Sequence, residues 1–363
     1  MRASSLTPGH RKFLLSWTVL LAAAGGAALL ALASRHRADR LEAEARHAAR
    51  LVDAAPEAER TPPAGHERDV PSEVKVGIYL DRIYELSVVG STWKGEFFVW
   101  FIWTDPKLNP GETFNVVNGE ILSRNLLVKK RKGAARYALY KVTAQITKAF
   151  DVARFPRDDH MLRLSLEDGA RQSYQLRYAA DAHSDVSSRV FVPGYKIWRK
   201  AITVNPHAYR TSRGDLDLPS DFKATYSMVT YSVSISRPGW GLHFKMFTVM
   251  YAAVLIALLG LFIRSSCDRL ALVAGSFFAA VANVYITSSL IPDTGSSSLA
   301  DELNGVGVVV ISLVIVQGII YQYYFEGRED RAAASRLFDQ ATFWILLALY
   351  AALNIVVPVV ASV

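Results

Sequence analysis

"FDVARFPRDDHML", residues 150–162, sets an aromatic residue and a proline between an arginine and two consecutive carboxylates, with alternating apolar positions after them. Pro156 and Asp158 are ordinary turn residues, so the stretch taken alone reads as a polar turn closing a β-hairpin. The rest of the chain decides whether that reading is sufficient.

The 363 residues are 51% hydrophobic and carry a formal net charge of +8. A basic balance can serve nucleic acid, but here the apolar residues come in long blocks, unlike those of a soluble domain. Phe13–Ala33, Leu270–Ile291, Val306–Phe325 and Ala341–Val363 are uncharged, and Phe247–Ile263 is a shorter block that its flanks can extend. A helix that crosses a bilayer needs about 20 such residues, so four C-terminal segments and one N-terminal segment qualify. A single block could be a buried helix of a soluble core; four in close succession are not.

Arginines in short loops set the orientation. Arg264 and Arg269 lie between the first and second C-terminal segments, and Arg328, Arg331 and Arg336 between the third and fourth. The intervening "PDTGSSSLADELN" has acids and no Lys or Arg. Both basic loops are therefore expected in the cytoplasm, with residues 34–242 and the C-terminus outside. The positive charge then reports topology, and nucleic acid is not an expected partner. At the N-terminus, Arg11 and Lys12 precede the apolar block and "ALA" at 31–33 resembles a signal-peptidase site. The block is long for a signal peptide, and Arg35, Arg37 and Arg40 follow it. Residues 1–33 are thus an anchor or a signal peptide, with the anchor preferred.

Cys267 is the sole cysteine, which excludes an intrachain disulfide and a Cys-based metal site. The eight histidines show no HExxH spacing, and no GxSxG, Walker or dinucleotide fingerprint occurs. No enzyme activity, cofactor or metal is expected.

Residues 34–52 are rich in Ala, Arg and Glu, which favours a solvated helical stalk, and a Pro-rich linker follows to residue 72. From there "VKVGIYL", "EFFVWFIW", "YALYKVTAQITKAF", "HMLRLSLED", "YKIWRKAITV" and "ATYSMVTYSVSIS" read as short, regularly spaced strands. The fold expected is an extracellular all-β, immunoglobulin-like sandwich over 73–238, joined to a four-helix transmembrane domain over 239–363, with an extra N-terminal hydrophobic helix.

Several stretches, taken in order, resemble the pentameric ligand-gated ion channel family, in its bacterial branch that lacks the Cys-loop disulfide. "WFIWTDPKL" (100–108) looks like the second-strand WxD signature. "FDVARFPRDDHML" looks like the FPFD loop, with Arg157 in place of the second aromatic. "SISRP" supplies the arginine before the first membrane helix, and "CDRLALVAGSFFAAVANVYITSSLIPDTG" resembles the pore helix and the proline-bearing loop after it. The resemblance runs from about Val74 to the C-terminus.

It implies that the 150–158 loop hangs onto the membrane domain and transmits gating, with Pro156, Asp158, Arg237 and Pro292 as coupling residues. Asp158 is expected to pair with Arg237, a directional carboxylate–guanidinium contact. Removing one partner at a desolvated junction costs about 3–5 kcal/mol, whereas a static surface pair is worth below about 1 kcal/mol. Two departures stand out: "ELSVVGSTW" carries no acid, and "NGEILSRNLLVKK" replaces the loop-A WxPD motif.

Helical spacing places Ala271, Gly275, Phe278, Ala282 and Tyr285 near one face, which the resemblance sets on the pore axis. Phe278 then sits at the apolar gate, which closes by dewetting, while Phe277 is assigned to helix packing. Five copies of Asp268 would form a carboxylate ring favouring cations; the same residue also suits a helix N-terminus. For the ligand site, the resemblance implicates Phe98 from one subunit and Tyr209 with Phe222 from the next as a cation–π box, although these rings also suit the core. Asp215, Asp217 and Asp221 could offer oxygen ligands to Ca²⁺, but their spacing matches no recognised loop.

The expectation is a homopentameric channel of a bacterial inner membrane, its β-domain periplasmic, passing monovalent cations in response to a small molecule or protons. The alternative is a non-conducting membrane sensor on the same fold, supported by the extra N-terminal helix and the missing loop-A motif.

Overall fold

The computed structural model describes residues 7–52, 70–216, 218, 222–328 and 331–362. The first element, α1, is one continuous helix over Pro8–Ala49, so the anchor and stalk expected on either side of residue 33 are a single rod. The Pro-rich linker at 53–69 lies outside the described residues. Next come β1 (Ser72–Ser87), β2 (Thr92–Trp103), a single turn α2 (Pro110–Thr113), β3 (Phe114–Val116), β4 (Gly119–Lys132) and β5 (Ala135–Thr147). After the 150–158 loop follow β6 (Asp159–Asp168), β7 (Leu176–Ala180), β8 (Asp185–Val186), β9 (Lys196–Ala208) and β10 (Thr225–Ser236). The C-terminal part holds α3 (Gly241–Leu259, extended by a 3-10 turn to Phe262), α4 (Ser266–Ser288), α5 (Leu299–Tyr324) and α6 (Ala332–Ala361). Among the described residues five helices, α1 and α3 to α6, are long and apolar enough to cross a membrane.

The chain divides into two units. One comprises Met1–Ala43, Asp151–Asp158 and Pro238–Val363; the other comprises Glu44–Phe150 and Asp159–Arg237. The opening loop therefore belongs with the helices, and a plain hairpin turn is the wrong description of it.

In the second unit, β4-β5-β2-β1-β7 form one sheet with β8 beside β1, and β3-β6-β10-β9 form another. "NGEILSRNLLVKK" is mostly β4, an edge strand whose Lys129, Lys130, Arg131 and Lys132 are exposed. Lysines along an edge discourage pairing with another sheet. Aromatic residues join the two sheets: Phe101 of β2 meets Phe114 of β3 at 5.2 Å, and Phe114 meets Tyr140 of β5 at 6.1 Å. Phe101 and Phe114 are both fully buried, and each such ring contributes about 1.5–3 kcal/mol. Trp103 and Asp105 form a brace. The Trp103 indole donates to the Leu108 carbonyl at 3.0 Å, while Asp105 accepts from Ser72 Oγ and the Lys107 amide. Those two bonds hold the Asp105 carboxyl below the usual carboxylate range.

In the helical unit, α4 buries Arg269, Val273, Ser276, Ala280, Asn283 and Thr287, a stripe at alternating spacings of four and three. Polar groups in it are matched across helices: the Asn283 amide donates to Asn304 of α5 at 3.0 Å. Helix α3 approaches α5 closely because residue 307 is glycine; a Cβ there would fall 2.5 Å from Met250 Sδ. The loop pattern of the sequence puts Arg269 in a basic connection. It lies instead within α4, 1% exposed, bonded to Asp339 of α6 at 3.2 Å, to Gln317 of α5 at 3.1 Å and to the Leu261 carbonyl at 2.7 Å. Its guanidinium also lies 4.0 Å over the Tyr321 ring.

Because Arg269 and Asp339 neutralise each other out of water, Arg269→Leu should destabilise the helical unit by about 3–5 kcal/mol. The double variant Arg269→Leu/Asp339→Leu should recover most of that loss. Thermal melts in detergent measure both; a double variant no more stable than the single one contradicts this reading.

Candidate functional site

The 150–158 loop meets α5 through its backbone. The first N–H groups of an α-helix have no partner inside the helix. Here Leu299 N–H donates to the Ala153 carbonyl at 2.9 Å and Ala300 N–H to the Phe155 carbonyl at 3.1 Å. A capping box, Ser298 with Asp301, serves the remainder of that turn. The Arg157 guanidinium lies 4.6 Å over the Trp240 ring and donates to the Gly239 carbonyl at 2.9 Å. Burial lowers the Arg157 pKa, with neighbouring Asp158 opposing the shift, yet a guanidinium remains charged. Arg154 donates to the Ala361 carbonyl at the end of α6. The loop thus touches the starts of α3 and α5 and the end of α6.

Pro156 and Asp158 are buried, the latter 2% exposed. Asp158 closes the loop segment of the helical unit and Arg237 closes the sheet unit. Arg237 has a partner that the sequence did not suggest. It donates to the Tyr195 hydroxyl at 2.6 Å, and its guanidinium lies 4.0 Å over that ring. Pro292 is half-buried in the α4–α5 connection.

On α4, all six residues expected on the pore side are exposed: Asp268, Ala271, Gly275, Phe278, Ala282 and Tyr285. Phe278 is 74% and Tyr285 79% exposed, on the helix face away from the buried stripe. Phe277, by contrast, packs against the helical core as expected. The side chain of Ser265 accepts from the Asp268 amide and caps the helix, so Asp268 has the N-terminal place that its charge suits.

The expected aromatic box is rearranged. Phe98 of β2 is half-buried and packs on Tyr79 at 6.3 Å, in a different sheet from the strand leading to Tyr209. Within one chain the two are on separate faces. Tyr209 takes Tyr226 as its perpendicular neighbour at 5.6 Å, a residue that the sequence reading did not select, while Phe222 lies half-buried ahead of β10. The chain's own Arg213 covers both rings, 4.6 Å over Tyr209 and 5.4 Å over Tyr226. Beneath them is Glu167 of β6, 4% exposed. It accepts from the Tyr209 hydroxyl at 2.6 Å and lies 2.8 Å from His207 Nδ1. Burial first, and then this bond to Glu167, push the Tyr209 pKa up to about 12, so the hydroxyl stays a donor. Adjacent strands make the cluster: Tyr226 on β10 is in register with His207 on β9, and Met228 with Glu167. Asp217 and Asp221 lie outside the described residues. Among the described ones, no group of three or more His, Cys, Asp or Glu side chains is arranged to hold a metal.

No protein-family model matches the chain, and no curated protein matches it. What the structure defines is a coarser class: a β-sheet unit joined to a set of membrane-type helices.

If the Tyr209 and Tyr226 faces are closed by Arg213, Arg213→Ala should expose them to soluble cations. Tetramethylammonium should then bind the variant about tenfold tighter than the parent, from the roughly 1–2 kcal/mol of a desolvated cation–π contact. Isothermal titration of the two proteins checks this, and equal affinities would dismiss the arginine as a plug.

Proposed function

We propose that the chain is the subunit of a homopentameric ligand-gated channel in a bacterial inner membrane, selective for monovalent cations and opened by a periplasmic small molecule or protons. In this reading the two sheets are an immunoglobulin-like sandwich, α3 to α6 are the four-helix pore domain, and α4 lines the pore. The observation that carries the reading is the 150–158 loop capping α5 with its own carbonyls, immediately after the Pro292 connection that leaves α4. A strain on that loop is a strain on the start of α5, and through the connection on α4. The uncovered face of α4, with small residues at Ala271 and Gly275 and a large one at Phe278, supports the same assignment.

Asp158 and Arg237 are the coupling pair of this reading, and Tyr195 holds the Arg237 guanidinium by its hydroxyl and its ring. Helix α1 is retained as a fifth spanning helix. Its contacts flank the "ALA" at 31–33 on both sides: Trp17 donates to Thr342 of α6 at 3.0 Å, and His36 Nε2 lies 2.7 Å from Glu302 of α5, which Arg35 also bonds. The sensor alternative keeps its support from α1 and the missing loop-A motif, and Arg213, which covers the Tyr209 and Tyr226 rings, adds to it. Single-channel recording from purified protein in bilayers separates the two, because silence across ligands, pH and voltage in a verified pentamer would favour the sensor.

Asp158→Asn and Arg237→Gln should each assemble but gate poorly, and the charge-swapped double variant should regain part of the response. Normal gating by both single variants would reduce the pair to a structural contact. Phe278→Ala should leak at rest, because five phenyl groups no longer exclude water, whereas Asp268→Asn should lower cation preference, read as a reversal-potential shift, without a leak. A Phe278→Ala channel as closed at rest as the parent would move the gate elsewhere.

A further inference from the structure

Helix α1 lies outside the stretch that resembles the channel family, and it buries a titratable group that the gating reading does not use. His36 is fully buried against the first turn of α5. Its Nε2 lies 2.7 Å from Glu302 Oε2, a contact in which an ionised carboxylate can only accept. Its Nδ1 faces Asp39, one turn further along α1, at 3.8 Å from Oδ2. Among the described residues, both of these facing atoms are buried without a hydrogen bond.

The two protonation states of His36 fit this place unequally. A neutral imidazole that donates from Nε2 has a lone pair at Nδ1, which would point at the Asp39 carboxylate. An imidazolium donates from both nitrogens, so it bonds Glu302 and turns its second N–H toward Asp39. Charge favours the same state. Arg35 bonds Glu302 and stands 4.0 Å from Asp39, so with His36 charged the group holds two cations and two anions. With His36 neutral, one negative charge is left uncompensated beside a side chain closed to water, and such a charge is costly. Of the other charged groups near this turn, Asp301 is held in the capping box with Ser298. Arg40 and Arg154 donate to the carbonyls of Val360, Ser362 and Ala361 at the end of α6.

We propose that His36 is a proton-binding site. A proton taken from solvent at Nδ1 docks residues 34–43 of α1 on the first turn of α5, and its return to solvent undocks them. Docking is strongest on the acid side of neutrality and fades as pH rises. The turn that His36 grips is the one whose Leu299 and Ala300 N–H groups the 150–158 loop satisfies. The site thus adjoins the contact on which the proposed function relies. It rests on the proposed retention of α1 and is independent of whether the chain conducts ions.

The test is hydrogen–deuterium exchange of the full chain in detergent, its intact mass verified, reading the amides of residues 34–43 after correction for the intrinsic effect of pH. The comparison runs from about pH 6 to about pH 9, wide enough to include a histidine held by carboxylates. Protection of that segment in the parent should fall by about tenfold, the worth of one charge-assisted hydrogen bond. Amides around Trp17, which bonds Thr342, should hold. His36→Gln should abolish the fall and Asp39→Asn should shrink it. His47→Gln should leave it in place, because His47 faces Asp159 and not α5. Equal protection of the parent segment at both pH values, or a fall that survives His36→Gln, overturns the proposal. The parent comparison decides the matter even if a variant folds poorly. A mass that shows cleavage near residue 33 overturns the retention of α1 and this site with it, and leaves the channel reading standing.

Discussion

The first turn of α5 has N–H groups that its own helix cannot satisfy, and this chain satisfies two of them with carbonyls from a loop more than a hundred residues earlier. A buried N–H left without an acceptor costs about 1–3 kcal/mol, so the loop is part of the helix rather than a neighbour of it. Its apolar residues follow that constraint: Val152, Phe155 and Pro156 are buried, and Arg157 lays its guanidinium on Trp240 beside them. An arginine suits this place because its flat face stacks as a ring does while its edge still donates a hydrogen bond.

The helices divide their chemistry by face in the same way. Helix α4 keeps Asn283 and Thr287 on the buried side, where Asn304 meets them. Hydrogen bonds of this kind can hold helices together in lipid, where burial of apolar surface gives no preference for a protein neighbour. Among the described residues, the opposite face of α4 has no such partners. In the sheet unit, Glu167 plays a comparable organising part, gathering His207, Tyr209 and Arg213 from the β9 side of its sheet onto one buried carboxylate.

Much of the architecture was legible from hydropathy and strand alternation, because both report burial directly. The five membrane-type helices and strands β1, β2, β5, β6, β9 and β10 lie where those patterns placed them. Strand β4 escaped because its residues are mostly exposed and its end is a run of four charged residues, so alternation is weak. Arg269 was misread because loop arginines and buried arginines look alike until the partner, Asp339, seventy positions away, is seen across the bundle. That Ala271, Gly275, Phe278, Ala282 and Tyr285 share one face of α4 was readable from helical spacing; that this face is exposed was not. Tyr195, Glu167, Arg213 and Tyr226 were not, since each acts through a residue distant in sequence and none stands in a recognisable spacing.

Helix α1 carries a further consequence. Its uncharged stretch, Phe13–Ala33, has 21 residues, or about 31 Å of α-helix, against a hydrocarbon core of about 30 Å. There is almost no slack, and Arg35 and His36 follow at once, tied to Glu302. A thicker bilayer would have to tilt α1 or draw those charged side chains toward the hydrocarbon, and a thinner one would push the apolar end into the headgroups. With α1 in the bilayer as proposed, membrane thickness would be transmitted to the first turn of α5, the same turn that the 150–158 loop completes.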